Sequence, residues 1–181
     1  MNEPARTLRI DAVVNGESVQ ADVSARQNLV DFLREHLGLT GSHVGCEHGV
    51  CGACTVLVDG AIVRGCLMLA AQADGCTVQT IEGADASGRL AVLQACFHER
   101  NALQCGFCTP GMLLTAAALL ERDPAPSRAT IREFISGNFC RCTGYQAIVD
   151  AVQEAARRVA GAVDTSALDA PAADNAAADK P

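Results

Sequence analysis

The sequence predicts an α+β protein with an N-terminal β-grasp domain and a C-terminal bundle of four helices. Short runs of alternating apolar and polar residues between positions 6 and 81 are typical of strands. Between residues 90 and 160 the apolar side chains recur at helical spacing instead. In addition, eight of the ten cysteines fall into two sets of four, one set in each half of the chain. These observations predict two small domains, each built around one cysteine site.

Two β-hairpins and one helix are predicted in the first domain. Residues 6–23 form the first hairpin, in which Asn15-Gly16 supplies the positive φ angles of a type I′ turn. The other predicted elements are a second hairpin of Thr55–Val58 and Ala61–Arg64, a final strand at Cys76–Ile81, and a helix from Asn28 to Leu37. Strands around one helix, with a glycine-rich cysteine loop between them, favour a β-grasp ferredoxin fold.

The second domain is predicted to follow a short polar linker at residues 82–88. Its first helix carries Leu90, Leu93 and Phe97 on one face. The starts of the other three helices are predicted from local signals. The second helix begins at Thr109-Pro110, with threonine as the cap and proline in the first helical position. The third begins with a capping box from Thr130 to Glu133, and the fourth with Thr143 followed three residues later by Gln146. Ile148, Val152, Ala155 and Val159 should face the core from the last helix.

These elements predict domain boundaries at residues 1–82 and 83–161. Residues 162–181 contain mainly alanine, aspartate and proline without periodicity, and we expect them to be a disordered tail.

Composition and charge exclude several classes of protein. A net charge of −7 argues against a nucleic-acid surface, and no apolar run approaches the ~20 residues of a membrane span. Met1–Ile10 has no charged start followed by an apolar stretch, so we expect no signal peptide and a cytoplasmic location. Ten cysteines could form disulfides in a secreted protein, but in a reducing compartment metal binding is the better interpretation.

The first cysteine set has the spacing of a plant-type [2Fe–2S] site. Cys46, Cys51 and Cys54 follow the pattern C-x4-C-x2-C, and Cys66 lies beyond the second hairpin. Gly45, Gly49 and Gly52 lie among these ligands and permit the φ angles of a tight loop. A four-cysteine zinc site is the alternative, although zinc sites usually pair one C-x2-C with another. His48 suggests a Rieske centre, but no second cysteine–histidine pair follows.

The second cysteine set combines C-x2-C with C-x-C, at Cys105, Cys108, Cys140 and Cys142. Cys108-Thr109 and Cys142-Thr143 each place a thiol before a threonine that is predicted to cap a helix. Two helix N-termini would then favour an anionic cluster, inside the bundle and shielded from water. Zinc is again the alternative. The two remaining cysteines, Cys76 and Cys96, are predicted to be buried free thiols.

Three segments carry a resemblance to a known family. They are Gly45–Val56, Gln104–Gly111 and Gly137–Tyr145, which resemble the iron–sulfur subunit of the molybdenum hydroxylases, the relatives of xanthine dehydrogenase, aldehyde oxidoreductase and carbon monoxide dehydrogenase. The resemblance covers roughly residues 6–160. It implies two [2Fe–2S] clusters, held by Cys46, Cys51, Cys54 and Cys66 and by Cys105, Cys108, Cys140 and Cys142.

The resemblance also implies cofactors on other chains. Electrons would pass from a molybdopterin, in its cytosine dinucleotide form, through both clusters to FAD. Gln104 and Cys142 would lie near the molybdopterin, and the loop of Glu47, His48, Gly49 and Val50 would lie on the flavin side. No phosphate-binding loop is visible, so both cofactors would belong to partners: a large molybdopterin subunit and a medium FAD subunit, in a dimer of heterotrimers.

Two other functions fit the cysteines. A free-standing two-cluster ferredoxin would move electrons between unrelated partners, and its surface should be polar all round. A subunit should instead expose apolar patches that its partners cover, and the positive mean hydropathy favours a subunit. The third possibility is a zinc scaffold without redox activity. The substrate and the final electron acceptor cannot be inferred from the sequence.

Overall fold

The fold is α+β, with a five-stranded mixed sheet followed by helices. The computed structural model describes residues 6–86, 88 and 90–168, with side chains up to Ala160. The strands are β1 (Thr7–Val14), β2 (Glu17–Ser24), β3 (Thr55–Val58), β4 (Ala61–Arg64) and β5 (Thr77–Gln79), in the spatial order β2-β1-β5-β3-β4. β5 runs parallel to β1 and antiparallel to β3, so the last strand joins the two hairpins into one sheet.

Both predicted hairpins are confirmed with their two-residue turns. Val14 pairs with Glu17 across the first turn, where Asn15 and Gly16 have φ angles of 52° and 87°. Val58 pairs with Ala61 across the second. The predicted last strand, Cys76–Ile81, is shorter than expected, because the chain already turns into a helix at Ile81.

The helix predicted in the first domain packs on the sheet, but its geometry changes along its length. α1 spans Leu29–Asp31 and continues as a π-helix over Phe32–His36. The Asn28 side chain caps α1 by accepting a hydrogen bond from the Asp31 N–H at 2.8 Å. Leu29, Phe32 and Leu33 are buried against the sheet. This helix closes the N-terminal core.

The predicted polar linker at residues 82–88 is wrong for its first part, which forms α2 (Ile81–Ala86). Glu82 fixes this segment in place, since its carboxylate accepts hydrogen bonds from the Gly41 N–H at 2.7 Å and from the Thr80 hydroxyl at 2.5 Å. Thr80 is in turn bound to Asn15 at the tip of the first hairpin. The segment therefore bridges the start of the cysteine loop and the sheet.

The C-terminal half contains the four predicted helices. They are α3 (Ala91–Glu99), α4 (Thr109–Arg122), α5 (Arg128–Phe134), which ends in a 3₁₀ turn at Ile135–Gly137, and α6 (Gln146–Leu168). Their common core contains Leu90, Leu93, Phe97, Ile148, Val152 and Ala155, all of which were predicted to be buried. Val159, also predicted to face the core, is 43% exposed because the bundle has ended at that level of α6.

The predicted caps of three of these helices are wrong. Cys108, not Thr109, is the N-cap of α4, and no side chain binds there. Ser127 caps α5 by accepting a hydrogen bond from the Thr130 N–H at 3.1 Å, so the helix starts before the predicted capping box. α6 begins at Gln146, beyond Thr143. The start of α5 is therefore set by Ser127, which is also a preferred N-cap residue.

α6 extends beyond the predicted boundary of the helical domain. It continues to Leu168, into the stretch 162–181 that the sequence predicts to be disordered, and residues 169–181 of that stretch lie outside the described residues. In the middle of α6, Arg158 donates hydrogen bonds to Glu99 of α3 at 2.5 Å and to Glu154 at 3.1 Å. None of the described helices combines the length and apolar character needed to cross a membrane.

The two halves meet by direct backbone contact at three glycines. A Cβ atom on Gly111, in the first turn of α4, would overlap the Gly52 carbonyl oxygen, and one on Gly52 would lie 2.5 Å from the Gly137 carbonyl oxygen. Real Cβ atoms do not approach other atoms so closely. These glycines therefore allow α4 and the segment after α5 to lie directly on the first cysteine loop.

Gly111→Ala should destabilise the protein, although alanine is the better helix former by about 1 kcal/mol. The added methyl group has no room beside Gly52, and overpacking of this kind costs about 1–3 kcal/mol. Denaturant unfolding of the purified variant measures the difference. Val92→Ala, at an exposed position of α3, is the control and should change the stability by less than about 0.5 kcal/mol. A more stable Gly111→Ala variant would contradict the close contact.

Candidate metal centres

The first cysteine loop folds around Cys46 by using left-handed backbone. Glu47 and Gly49, with φ angles of 59° and 81°, turn the chain between Cys46 and Cys51, and Gly52, with a φ of 73°, turns it between Cys51 and Cys54. The Cys51 N–H donates to Cys46 Sγ at 3.4 Å. This bond, together with those from the backbone N–H groups of His48 and Val50, lowers the pKa of Cys46 to about 6. The loop thus stabilises negative charge on the first sulfur.

The other two thiols of the first set meet through the β3–β4 hairpin. Thr55 pairs with Arg64 at the open end of this hairpin, and the Gly65 N–H donates to the Cys54 carbonyl at 3.1 Å. Cys54 and Cys66 flank this pair, and the Cys66 thiol is close enough to Cys54 to affect the pKa of Cys54. Burial raises the pKa of Cys54 to about 11, so a metal must displace its proton to bind. The hairpin therefore supplies the second pair of ligands.

The second cysteine set is assembled from the start of α4 and the segment between α5 and α6. Cys105 and Cys142 place their Sγ atoms 3.6 Å apart, and the Cys140 thiol is close enough to Cys108 to affect the pKa of Cys108. Burial raises the pKa of Cys108 to about 12. Of the described helices, α4 alone begins directly after a cysteine, so one helix N-terminus reaches this set rather than the predicted two.

Cys140 has polar neighbours that the sequence did not reveal. The Thr143 hydroxyl donates to Cys140 Sγ at 3.2 Å, and the Tyr145 hydroxyl accepts from the Cys140 N–H at 2.8 Å. Burial opposes ionisation of Cys140, but the Thr143 hydroxyl and the backbone N–H groups of Cys142 and Thr143 lower its pKa overall. Thr143 therefore acts on a sulfur rather than capping a helix. In the sequence, the position of Thr143 three residues after Cys140 could have indicated this contact.

The second set is also less shielded than predicted. Cys105 and Cys142 are exposed, whereas Cys108 and Cys140 are partly buried. The set lies at one end of the helical bundle, because Cys108 precedes the first residue of α4 and Cys142 precedes α6. The exposed sulfurs therefore face a region that a partner chain can approach.

In both sets the thiols come together as pairs. The pairs are Cys46 with Cys51, Cys54 with Cys66, Cys105 with Cys142, and Cys108 with Cys140. A [2Fe–2S] cluster takes four cysteine ligands, two on each iron, and the donor set fits that requirement. In the described part of the chain, no three His, Cys, Asp or Glu side chains are grouped to hold a single metal ion.

The residues expected near a molybdopterin lie together. The Gln104 side-chain amide donates to the Cys142 carbonyl at 3.1 Å, and both residues are exposed. On the first loop, Glu47, His48 and Val50 are exposed and Gly49 is covered by the Leu67 side chain. His48 contacts the Cys46 carbonyl through Nδ1.

Cys76 and Cys96 lie outside the two sets, and His43 and Phe107 form a contact between the two cysteine loops. Cys96 is buried in the bundle core as predicted, but Cys76 is only partly buried at the end of β5. Phe107 reaches across to the first loop, where its ring stacks on His43 with centroids 4.6 Å apart and its carbonyl contacts His43 Nδ1 at 2.8 Å. This stacking, which links the two cysteine loops, had no signal in the sequence.

Comparison with known proteins places this chain among iron–sulfur proteins. Residues 12–80 match the family described as "2Fe-2S iron-sulfur cluster binding domain" and residues 80–153 match "[2Fe-2S] binding domain". The chain is 53% identical to the nicotine 6-hydroxylase small subunit of Paenarthrobacter nicotinovorans over 84% of its length and 92% of the relative. It is also 53% identical to caffeine dehydrogenase subunit gamma of Pseudomonas sp. (strain CBB1), over 80% and 88%.

Among solved structures, the chain resembles one in the crystal structure of quinoline 2-oxidoreductase from Pseudomonas putida 86. The TM-score is 0.76 and the sequence identity 52%, covering 84% of this chain and 97% of that chain.

Thr143→Val should make the reduction potential of the second site more negative. Valine keeps the shape of threonine but removes the hydroxyl that donates to Cys140 Sγ, and such donors favour the reduced, more negative state. A bond worth about 1 kcal/mol corresponds to ~40 mV for a single electron. A redox titration followed by electron paramagnetic resonance measures the shift. Thr40→Val, on the exposed loop before the first set, should change neither potential, and an unchanged second potential in Thr143→Val would contradict the assignment.

Proposed function

We propose, since this chain belongs to the family of small iron–sulfur subunits of the molybdenum hydroxylases, that it transfers electrons from a molybdopterin-binding subunit to an FAD-binding subunit. The observation that carries the proposal is the presence of four thiol pairs, two in each of the two cysteine sets. Two [2Fe–2S] clusters, when bound, would supply centres that accept and release single electrons. The chain itself has an electron-transfer role rather than a catalytic one.

The residues of the chain hold and tune these centres. Cys46, Cys51, Cys54 and Cys66 would bind the first cluster, and Cys105, Cys108, Cys140 and Cys142 the second. Backbone N–H groups of the first loop and the Thr143 hydroxyl direct hydrogen bonds at sulfur, which favours added negative charge. The glycine contacts between the halves keep the two loops adjacent without intervening side chains.

The exposed residues support the proposed order of partners. Gln104 and Cys142 would face the molybdopterin, because their contact presents an amide and a ligand sulfur together at the surface. The loop of Glu47, His48, Gly49 and Val50 would face the flavin. Both cofactors, with the molybdopterin as its cytosine dinucleotide, would be bound by the large and medium subunits of a heterotrimer that forms a dimer.

Exposed apolar side chains around the cysteine loops support a subunit over a free ferredoxin. The large apolar residues concerned are Val50 (48% exposed), Leu67 (62%), Phe107 (46%) and Phe139 (52%). A free-standing ferredoxin would leave these apolar side chains in water, whereas a subunit buries them against its partners. A cytoplasmic location is part of the proposal, supported by ten cysteines that are all free thiols.

The purified protein should contain about four irons and four acid-labile sulfides per chain, as expected for two four-cysteine [2Fe–2S] sites. Metal and sulfide analysis measures the content, and a visible spectrum with two paramagnetic resonance signals after reduction identifies two distinct clusters. Stoichiometric zinc without visible absorption would falsify the cluster assignment and favour the zinc scaffold.

Cys51→Ser and Cys142→Ser should interrupt the electron path at different points. Serine is a harder ligand than thiolate and binds iron more weakly. In the assembled enzyme, Cys142→Ser should stop electrons leaving the molybdenum subunit and leave the first signal present. Cys51→Ser should let substrate reduce the molybdenum side while FAD stays oxidised. Stopped-flow absorbance of FAD and resonance spectra of the same samples report these steps.

Cys76→Ser is the matched control for these variants, since Cys76 belongs to neither set and is partly buried. It should keep both signals and the normal rate of FAD reduction. Gel filtration identifies any variant that loses its partners through unfolding. Normal FAD reduction by substrate in both ligand variants, within an intact complex, would show that electrons bypass this chain and would refute the proposed function.

A further inference from the structure

The side chain of Asn138 occupies the contact between the two halves of the molecule. It is 1% exposed, and all its hydrogen-bonding capacity is used. Its amide nitrogen donates to the Gly52 carbonyl at 3.1 Å and to the Thr55 hydroxyl at 3.3 Å. Its amide oxygen accepts from the Arg64 guanidinium at 3.4 Å and shares the Thr115 hydroxyl proton, at 3.0 Å, with the Gly111 carbonyl, which lies 2.8 Å from the same hydroxyl. We call Asn138, Gly52, Thr55, Thr115 and Arg64 the junction network.

The backbone on either side of Asn138 is bound to the same surface. The Arg64 guanidinium donates to the Gly137 carbonyl at 2.8 Å, and the Phe139 N–H donates to the Cys51 carbonyl at 2.8 Å. Three consecutive residues, 137–139, therefore bind to the first half through hydrogen bonds. A Cβ on Gly137 would lie 2.6 Å from the Arg64 guanidinium, so a larger residue there would displace the end of the Arg64 side chain.

The junction network lies beside ligand residues of both sets. Gly52 directly follows Cys51, and Thr55 directly follows Cys54. Arg64 precedes Cys66 by two residues, and Asn138 precedes Cys140 by two. A displacement of the Asn138 amide would therefore move ligands of one cluster relative to those of the other.

We propose that Asn138 is a positioning residue that fixes the separation and relative orientation of the two cysteine sets. This proposal rests on the proposed function for the presence of two clusters. An amide is required because the same side chain must donate to the Gly52 carbonyl and accept from Thr115. A carboxylate of the same shape accepts only, so it would face the Gly52 carbonyl oxygen without a proton. A buried group left unpaired in this way would open the junction.

The test compares Asn138→Asp with Asn101→Asp in the assembled enzyme. Asn101 is exposed and lies in the helical half, so its change matches the chemistry without touching the junction network. Electron paramagnetic resonance of the fully reduced protein measures the dipolar splitting between the two clusters, which depends on their distance and orientation. We expect the splitting to shrink or broaden in Asn138→Asp, with unchanged iron content and unchanged individual signals, and to be normal in Asn101→Asp. An unchanged splitting in Asn138→Asp would overturn the proposal.

A second variant covers the case in which Asn138→Asp loses its iron. Thr115→Val removes one donor to the Asn138 oxygen and keeps the side-chain shape, so a smaller change of the splitting in the same direction is expected. Loss of iron from both variants would show that Asn138 maintains the sites themselves rather than their spacing, and would overturn the proposal. A wild-type protein without the two signals would instead refute the proposed function.

Calorimetry provides a readout that does not depend on the clusters. If the junction network couples the halves, the wild-type chain and Asn101→Asp should each unfold in one transition, and Asn138→Asp in two. A single transition in all three proteins would contradict the coupling.

Discussion

Direct backbone contact between the two cysteine loops is the constraint on which the rest of the structure depends. The Phe139 N–H donates to the Cys51 carbonyl, and α4 packs its first turn against Gly52 without a side chain between them. This contact fixes where Cys108 and Cys140 lie relative to the first loop. It also explains glycine at positions 52 and 111, because a methyl group at either would overlap a backbone carbonyl oxygen of the other half.

The two sites achieve the same pairing of thiols by different means. In the first set, one tight loop and one hairpin bring the pairs together. The four cysteines and the elements that position them therefore lie within 21 residues, from Cys46 to Cys66. In the second set, each pair joins a residue near the start of α4 to one that lies more than 30 positions later. Those pairs depend on the packing of α4 against α5 and the 3₁₀ turn that follows it, and the second site is accordingly a product of tertiary structure.

Hydrogen-bond donors around the sulfurs stabilise negative charge there, although the chain as a whole is acidic. The chain carries a net charge of −7, and thiolate ligands add further negative charge. Backbone N–H groups and the Thr143 hydroxyl act as donors to sulfur, and the Arg64 guanidinium lies between the ligand-bearing segments. Donors fixed by the fold stabilise negative charge without reorganising, which suits groups that gain and lose electrons.

Local patterns in the sequence determined the hairpins, their turns and the four C-terminal helices, because alternation, Asn-Gly and Asp-Gly turns and helical spacing act over a few residues. The spacing of the cysteines likewise predicted the two sets. Tertiary structure alone decided the starts of α4, α5 and α6, the conversion of the predicted linker into α2, and the exposure of Cys105 and Cys142. It also decided the pairing within the second set and the burial of Asn138. These features depend on hydrogen bonds and packing between residues far apart in the chain, and no local pattern specifies which distant partner a side chain will meet.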